Sequence, residues 1–212
     1  MEELSSPSSP TGDNDTRYQI IEHFLTDQEC MQLIAISGPR LVPSEGWSVD
    51  AGKSEITSYR TSKQVFFVRR ENQLIADIEK RIAMLTGIPE ENGEGLQVVM
   101  YEKGGHYYDH NDSFDPTFDG NRPVLNRGGQ RIITVLIYLN DLAQDGSDGG
   151  ATCFPRIDLQ VYPKKGRALM WWNVKEDGRT VDPNTLHRGE DLLTDKKQKW
   201  ICTKWLRQGV FV

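Results

Sequence analysis

The heptad "HYYDHND", His106 to Asp112, gathers two of the chain's four histidines with two tyrosines and two aspartates. Imidazole and carboxylate are the side chains that most often ligate divalent metals, so the stretch is a candidate half of a metal site. In an extended strand, residues two apart face the same side. His110 and Asp112, spaced H-x-D, can therefore aim an imidazole and a carboxylate at one point. A third ligand must come from elsewhere, and His187 in "NTLHRG" is the only histidine after His110. Two histidines and one carboxylate on one face of a metal leave the opposite face open. That arrangement suits non-haem Fe(II) handling a co-substrate and O2, whereas a structural zinc site fills all four of its positions. On spacing alone, H-x-D is equally at home in a polar turn.

Competing local motifs fail at specific positions. His106 and His110 are spaced for a helical zinc pair, but Gly104-Gly105 and Tyr107-Tyr108 argue against a helix there. "DHNDSFDPTFDG" resembles a calcium loop, yet its sixth position is Phe114 rather than Gly and its twelfth is Gly120 rather than Glu. "GKS" at 52–54 could end a phosphate loop, but the required first glycine falls on Trp47.

The elements that must position these residues are legible in outline. "MEELSSPSSPTGDND" is acidic, rich in Ser and Pro and nearly free of large apolar residues. It cannot bury enough surface to offset its ordering entropy, so residues 1–16 are expected to be a disordered tail and residues 17–212 the folded domain. "LTDQECMQLIAISGP" reads as a helix, with Thr26 and Glu29 at capping-box spacing and Gly38-Pro39 as the stop. "NQLIADIEKRIAMLTGIP" reads as a second, its Leu74, Ile78, Ile82 and Leu85 forming one apolar stripe. From Leu96 onward, "LQVVMY", "RIITVLIYLN", "ATCFP", "LQVYP", "RALMWWN" and "KWICTKWLR" are short β-type runs separated by turn residues. Helices followed by many short strands imply a mainly β (α+β) sandwich or barrel with helical support.

Composition narrows the functional classes. The net charge is −6, and the acids of residues 1–16 account for most of it, leaving −2 on the remainder. A nucleic-acid partner would want a basic excess, which is missing. Three widely spaced cysteines form neither a disulfide framework nor a zinc site, and a reducing compartment fits them best. No run approaches membrane-spanning length. The expected location is cytoplasmic if the chain is complete, or the endoplasmic reticulum lumen if a leader has been removed.

From about Gln19 onward the chain resembles the prolyl 4-hydroxylase family of Fe(II)/2-oxoglutarate dioxygenases, closest to its small plant, algal, viral and bacterial members. The resemblance rests on "FLTDQECMQLI", "YRTS", "VVMYEKGGHYYDHND", "GGQRIITVLIYLND", "GGATCFP", "GRALMWWN", "LHRG" and "KWICTKWLR", in that order. It implies a double-stranded β-helix, or jelly roll, with supporting N-terminal helices and the metal at its open end. It also implies a procollagen-proline 4-dioxygenase-like enzyme. Such an enzyme hydroxylates C4 of a prolyl residue in a peptide or protein, consumes O2, releases succinate and CO2, and is kept active by ascorbate.

On that resemblance His110, Asp112 and His187 are the iron ligands. The lysine for the distal carboxylate of 2-oxoglutarate is Lys199, which directly precedes Trp200 and stands six before Trp205, with Lys197 as its rival. Tyr138 is expected to donate to that carboxylate, and Tyr101 to reach the co-substrate nearer the iron. Tyr107, Arg131 and Trp205 match positions lining the peptide groove, residues 113–127 read as a flap, and Arg60 reads as structural. Ala151 stands where the family more often has Glu. Two other readings remain: a 2-oxoglutarate dioxygenase with another target, and a jelly-roll binding module without catalysis. The oligomeric state is not legible.

Overall fold

The computed structural model describes residues 17–48, 53–55 and 58–212. The segment expected to be a tail, residues 1–16, lies outside the described residues. In chain order the elements are β1 (Tyr18–Ile21), α1 (Asp27–Ser37), β2 (Val42–Pro43), β3 (Gly46–Ser48), β4 (Lys53–Glu55), β5 (Lys63–Phe67), α2 (Gln73–Thr86), β6 (Leu96–Tyr101), β7 (Tyr107–His110), α3 (Arg122–Leu125), β8 (Arg131–Tyr138), β9 (Thr152–Phe154), β10 (Leu159–Val161), β11 (Ala168–Trp172), β12 (His187–Gly189) and β13 (Lys199–Arg207). Strands therefore also precede and separate the two long helices.

Both helices start and stop where local chemistry requires. Thr26 and Glu29 exchange reciprocal bonds in a capping box at the head of α1. Asn72 caps α2, and Gly87 ends it in the left-handed conformation that glycine adopts without a Cβ penalty.

Two antiparallel sheets face each other. The larger runs β1-β11-β8-β13-β6-β5-β2 and the smaller β10-β9-β12-β7. Strand alternation sorts the large sheet's side chains onto two buried faces. Val98, Met100, Val135, Ile137, Ala168, Met170 and Cys202 pack with α1 and α2. Val99, Tyr101, Leu136, Tyr138, Leu169, Trp171 and Ile201 pack toward the smaller sheet. Burial on both faces turns β8 into a nearly continuous apolar run, while β13, buried along its whole length, also carries Lys199, Thr203, Lys204 and Arg207 inward. No helix among the described residues is long and apolar enough to cross a membrane.

On the helical face, Lys204 of β13 meets Glu79 of α2 at 2.5 Å, and both side chains are out of solvent. Glu79 also accepts from the backbone N–H of Arg70, a left-handed turn residue. The carboxylate thus clamps helix, turn and strand. Lys204→Met leaves that carboxylate buried without its cation, so it is expected to cost about 3–5 kcal/mol. The shift in the urea unfolding midpoint measures it.

The segment expected as a flap, residues 113–127, is not irregular throughout. It holds a 3-10 turn at Asp119–Asn121 and the helix α3, which has a proline in its first turn. The side chain of Gln130 bonds both the N–H and the carbonyl of Phe114, tying down its start.

Candidate metal centre and co-substrate cavity

His110 ends β7, and its direct antiparallel partner across the ladder is His187, the first residue of β12. Cross-strand partners share a face at about 4.5–5.5 Å between Cβ atoms, so two residues distant in the chain become neighbours, with ring centroids 4.2 Å apart. Asp112 lies just beyond the end of β7, in a bend. The expected strand parity of H-x-D therefore carries only its first half, and the bend turns the carboxylate back to the same point. One donor atom from each of the three residues lies within 4.8 Å of the others, which makes a candidate metal site. Asp112 is 3.9 Å from the Nε2 atoms of both histidines. That is too far for hydrogen bonds and near enough to share an ion.

The surroundings orient all three. His110 Nδ1–H donates to the Tyr108 carbonyl at 2.7 Å, and His187 Nδ1–H to the Thr185 carbonyl at 2.8 Å. These bonds fix the tautomer that leaves each Nε2 lone pair free for a metal. Burial, with His187 beside it, pulls the His110 imidazole down to about 3, so it stays neutral. Burial pushes the Asp112 carboxyl up, but His187, His110, Arg131 and the Thr134 hydroxyl outweigh that and hold it below its ordinary value. A buried relay stands behind it. Trp171 donates to Asn173, Asn173 to Thr134, and Thr134 to Asp112 at 2.7 Å. Thr134→Val breaks this relay without changing the ligands. It is expected to weaken Fe(II) binding about 10–100-fold, as read by anaerobic metal titration.

The three residues open into a cavity of about 1150 Å³ between the sheets. Alternate residues of β13 line it: Lys199, Ile201, Thr203, Trp205 and Arg207. Lys199 is 2 % exposed, and among the described residues its ammonium makes no hydrogen bond or ion pair, with Glu190 and Cys153 acting on it only as neighbouring charges. Its nearest aromatic companion is the Tyr101 ring, 5.1 Å away. Burial pushes Lys199 down to about 8. Lys197 points elsewhere, paired with Asp148 at 2.7 Å on the surface.

Comparison with known proteins decides what this geometry belongs to. The 2OG-Fe(II) oxygenase superfamily matches residues 96–207, from β6 to the end of β13. Prolyl 4-hydroxylase 1 of Arabidopsis thaliana is 39% identical over 203 residues, covering 91% of this chain and 69% of that protein. This chain belongs to the prolyl 4-hydroxylase family.

Among solved structures, a viral collagen prolyl hydroxylase from Paramecium bursaria Chlorella virus-1, in complex with 2OG, superposes with a TM-score of 0.69 at 29% identity. The match covers 89% of this chain and 94% of that one. A Trichoplax adhaerens prolyl hydroxylase, in complex with a hypoxia inducible factor peptide fragment, shares the fold at a TM-score of 0.65 and 19% identity. Membership makes this prolyl 4-hydroxylase relative an enzyme of the Fe(II)- and 2-oxoglutarate-dependent dioxygenase type, with O2 as co-substrate and ascorbate as reductant. The donor set and the unpaired ammonium fit that metal and that dianion.

The remaining expected residues sit in and around the cavity, with corrections. Tyr101 lines it, with the Arg60 guanidinium and the Ser62 hydroxyl acting on its phenol. Tyr138 does not line it. Its hydroxyl donates to Thr152 at 2.8 Å, and Thr152 is the group that faces the cavity. The place on the cavity wall expected of Tyr138 is therefore held by a threonine that sequence reasoning missed, though it stood in "GGATCFP". Tyr107 stacks on His110 at 3.5 Å and carries the Arg60 guanidinium on its ring. Arg60, read from sequence as structural, lines the cavity and keeps a buried Nε without a partner.

Arg131 lies 3.9 Å over the Trp205 ring, but two of its nitrogens bond Glu94 at 2.5 and 2.8 Å. Glu94 also takes Arg207 at 2.7 Å. Arg131, expected along the peptide groove, lines the cavity as one arm of an Arg-Glu-Arg cluster. Trp205 is buried, with an unpartnered Nε1. Ala151 is buried, and its carbonyl accepts from Glu190 on the way to the metal strand, so it is a packing position.

Proposed function

We propose that this protein hydroxylates C4 of prolyl residues in peptides or proteins, with His110, Asp112 and His187 holding Fe(II). The observation that carries the reading is one cavity containing both the three-residue donor set and a buried ammonium that, among the described residues, makes no hydrogen bond or ion pair. An unpaired buried cation is costly unless an anion completes it. Lys199 therefore takes the distal carboxylate of 2-oxoglutarate, beside the Thr152 hydroxyl that Tyr138 orients. Iron bound with 2-oxoglutarate supplies the O2-activating chemistry, and succinate and CO2 leave as products.

The chain's own groups perform positioning. The two Nδ1 bonds and the Thr134 relay hold the donor atoms to one side. Leu136, Ile201 and Trp171 wall the inner cavity with apolar surface that excludes water. Tyr107 and Trp205 give the cavity its aromatic surface, against which a pyrrolidine ring would pack. Arg131, with its remaining nitrogen, and Arg60 line the same cavity and would donate to a peptide carbonyl. The names of the similar proteins support a peptidyl-proline target. The three free, buried cysteines support a reducing compartment.

The test is incubation with proline-rich peptides, Fe(II), 2-oxoglutarate and ascorbate, followed by tandem mass spectrometry and amino-acid analysis. One added oxygen on proline, recovered as 4-hydroxyproline, is the expected product. Succinate released at full rate with no peptide modified across a broad panel would point to another target.

A further inference from the structure

Gly189 stands at a place where no backbone demand explains a glycine. It lies in β12, two residues after His187, and its φ is outside the left-handed region that favours glycine. A Cβ built there would meet nothing closer than Lys199 Nζ at 3.5 Å and the Cβ and N atoms of Tyr107 at 3.9 Å. Those are ordinary van der Waals distances, so the protein itself has room for a methyl group. Gly150, which also approaches Lys199, is different. Its φ is +71, and a Cβ would press on Leu142 at 2.8 Å, so its own conformation accounts for it.

The space that Gly189 leaves is not solvent on an outer face. Gly189 lines the cavity, paired with Tyr107 on one flanking strand and Thr152 on the other. The unpartnered ammonium of Lys199 faces it from the opposite sheet. The Lys199 ammonium and the Tyr107 Cβ thus border the space that a side chain at 189 would take, with Thr152 beside it in the ladder, and the missing side chain keeps that space open.

We infer that Gly189 is a specificity-determining residue that reserves the space for the distal end of the 2-oxo diacid. The inference rests on the reading that Lys199 binds the distal carboxylate. A methyl group at position 189 fills the approach to the ammonium and leaves the iron-chelating end untouched. One carbon too many in a fitted pocket is worth roughly 10–200-fold in discrimination. Gly189→Ala is therefore expected to weaken 2-oxoglutarate binding by about tenfold or more. Pyruvate, which presents the same chelating atoms and ends before the gap, should bind both proteins alike.

Anaerobic calorimetry of the Fe(II)-loaded proteins with each acid reads this directly, and thermal melting with and without iron reports the fold and the metal centre. Gly189→Ala that binds 2-oxoglutarate as tightly as wild type overturns the inference and leaves the functional reading standing. An equal loss for pyruvate also overturns it, because the damage then lies at the metal. Wild type that binds no 2-oxoglutarate overturns the functional reading first. A second arm needs no variant. 4-Methyl-2-oxoglutarate carries its extra carbon beside the distal carboxylate and should bind wild type about tenfold or more weaker than the parent acid. Binding as tight as that of the parent acid would show that the distal end does not fill the space, and would overturn the inference.

Discussion

Asp112→Ala is expected to reduce 2-oxoglutarate-dependent succinate release to background while the protein still folds, its melting temperature lowered by roughly 2–12 °C. The loss should be large because the carboxylate is the one anionic donor in the set. Two neutral imidazoles alone would hold Fe(II) weakly and leave its charge unbalanced. The fold should survive because the residue spans no sheet contact. Asp112 lies past the end of β7, and its side-chain bond in the structure is to the Thr134 hydroxyl. Removing it strands that hydroxyl, which already accepts from Asn173, at a cost of about 1–3 kcal/mol. His187→Ala should behave alike in turnover but differ in stability. The imidazole packs against Trp171 at 4.8 Å and Phe154 at 5.3 Å, and its removal opens a void in the inter-sheet core. Asp112→Ala that retained more than a few per cent of succinate release would displace the carboxylate from the ligand set.

What made these residues readable differs from one to the next. Thr26, Glu29, Asn72 and Gly87 advertise their helices because caps are local chemistry, written within a few positions. β12 had no such signal. Its three residues, His187 to Gly189, carry no apolar alternation, and the strand exists because β7 and β9 lie on either side to pair with it. β2, two residues ending in Pro43 at the sheet edge, is equally silent.

The place of Tyr138 behind the cavity wall has a clear physical origin. β8 is buried on both faces, so its residues read as one apolar run and alternation cannot say which neighbour stands between Tyr138 and the cavity. Glu94 went unnoticed because it lies before β6 in an irregular stretch, and its two arginines, Arg131 and Arg207, come from far downstream. Sequence can nominate a charge. Only pairing across sheets shows whether another charge has already claimed it.

The two lysines of β13 make that distinction quantitative, and they define the remaining large effect. Lys204 and Lys199 are five apart on one strand, on opposite faces, and both are buried. Lys204 meets a carboxylate in the fold, and Lys199 does not. Burial takes Lys199 from its ordinary 10.5 to about 8, and at 1.36 kcal/mol per unit that costs the free protein about 3 kcal/mol of stability. The sign follows from the lowered value. The charged form is disfavoured in the fold, so the penalty is complete below about pH 8 and vanishes as pH rises past the ordinary value.

Lys199→Met is therefore expected to raise the melting temperature of the free protein at neutral pH. It should also weaken 2-oxoglutarate binding about 10–100-fold, the worth of a charge-assisted hydrogen bond. Wild type should lose about tenfold in affinity between pH 7 and pH 9 as the free ammonium titrates, and Lys199→Met should show none of that slope. Lys197→Met, with its partner Asp148 on the surface, should match wild type in affinity and slope alike. Stability that falls on Lys199→Met, or a pH slope that persists in it, would mean that the ammonium supports the fold and some other group receives the co-substrate.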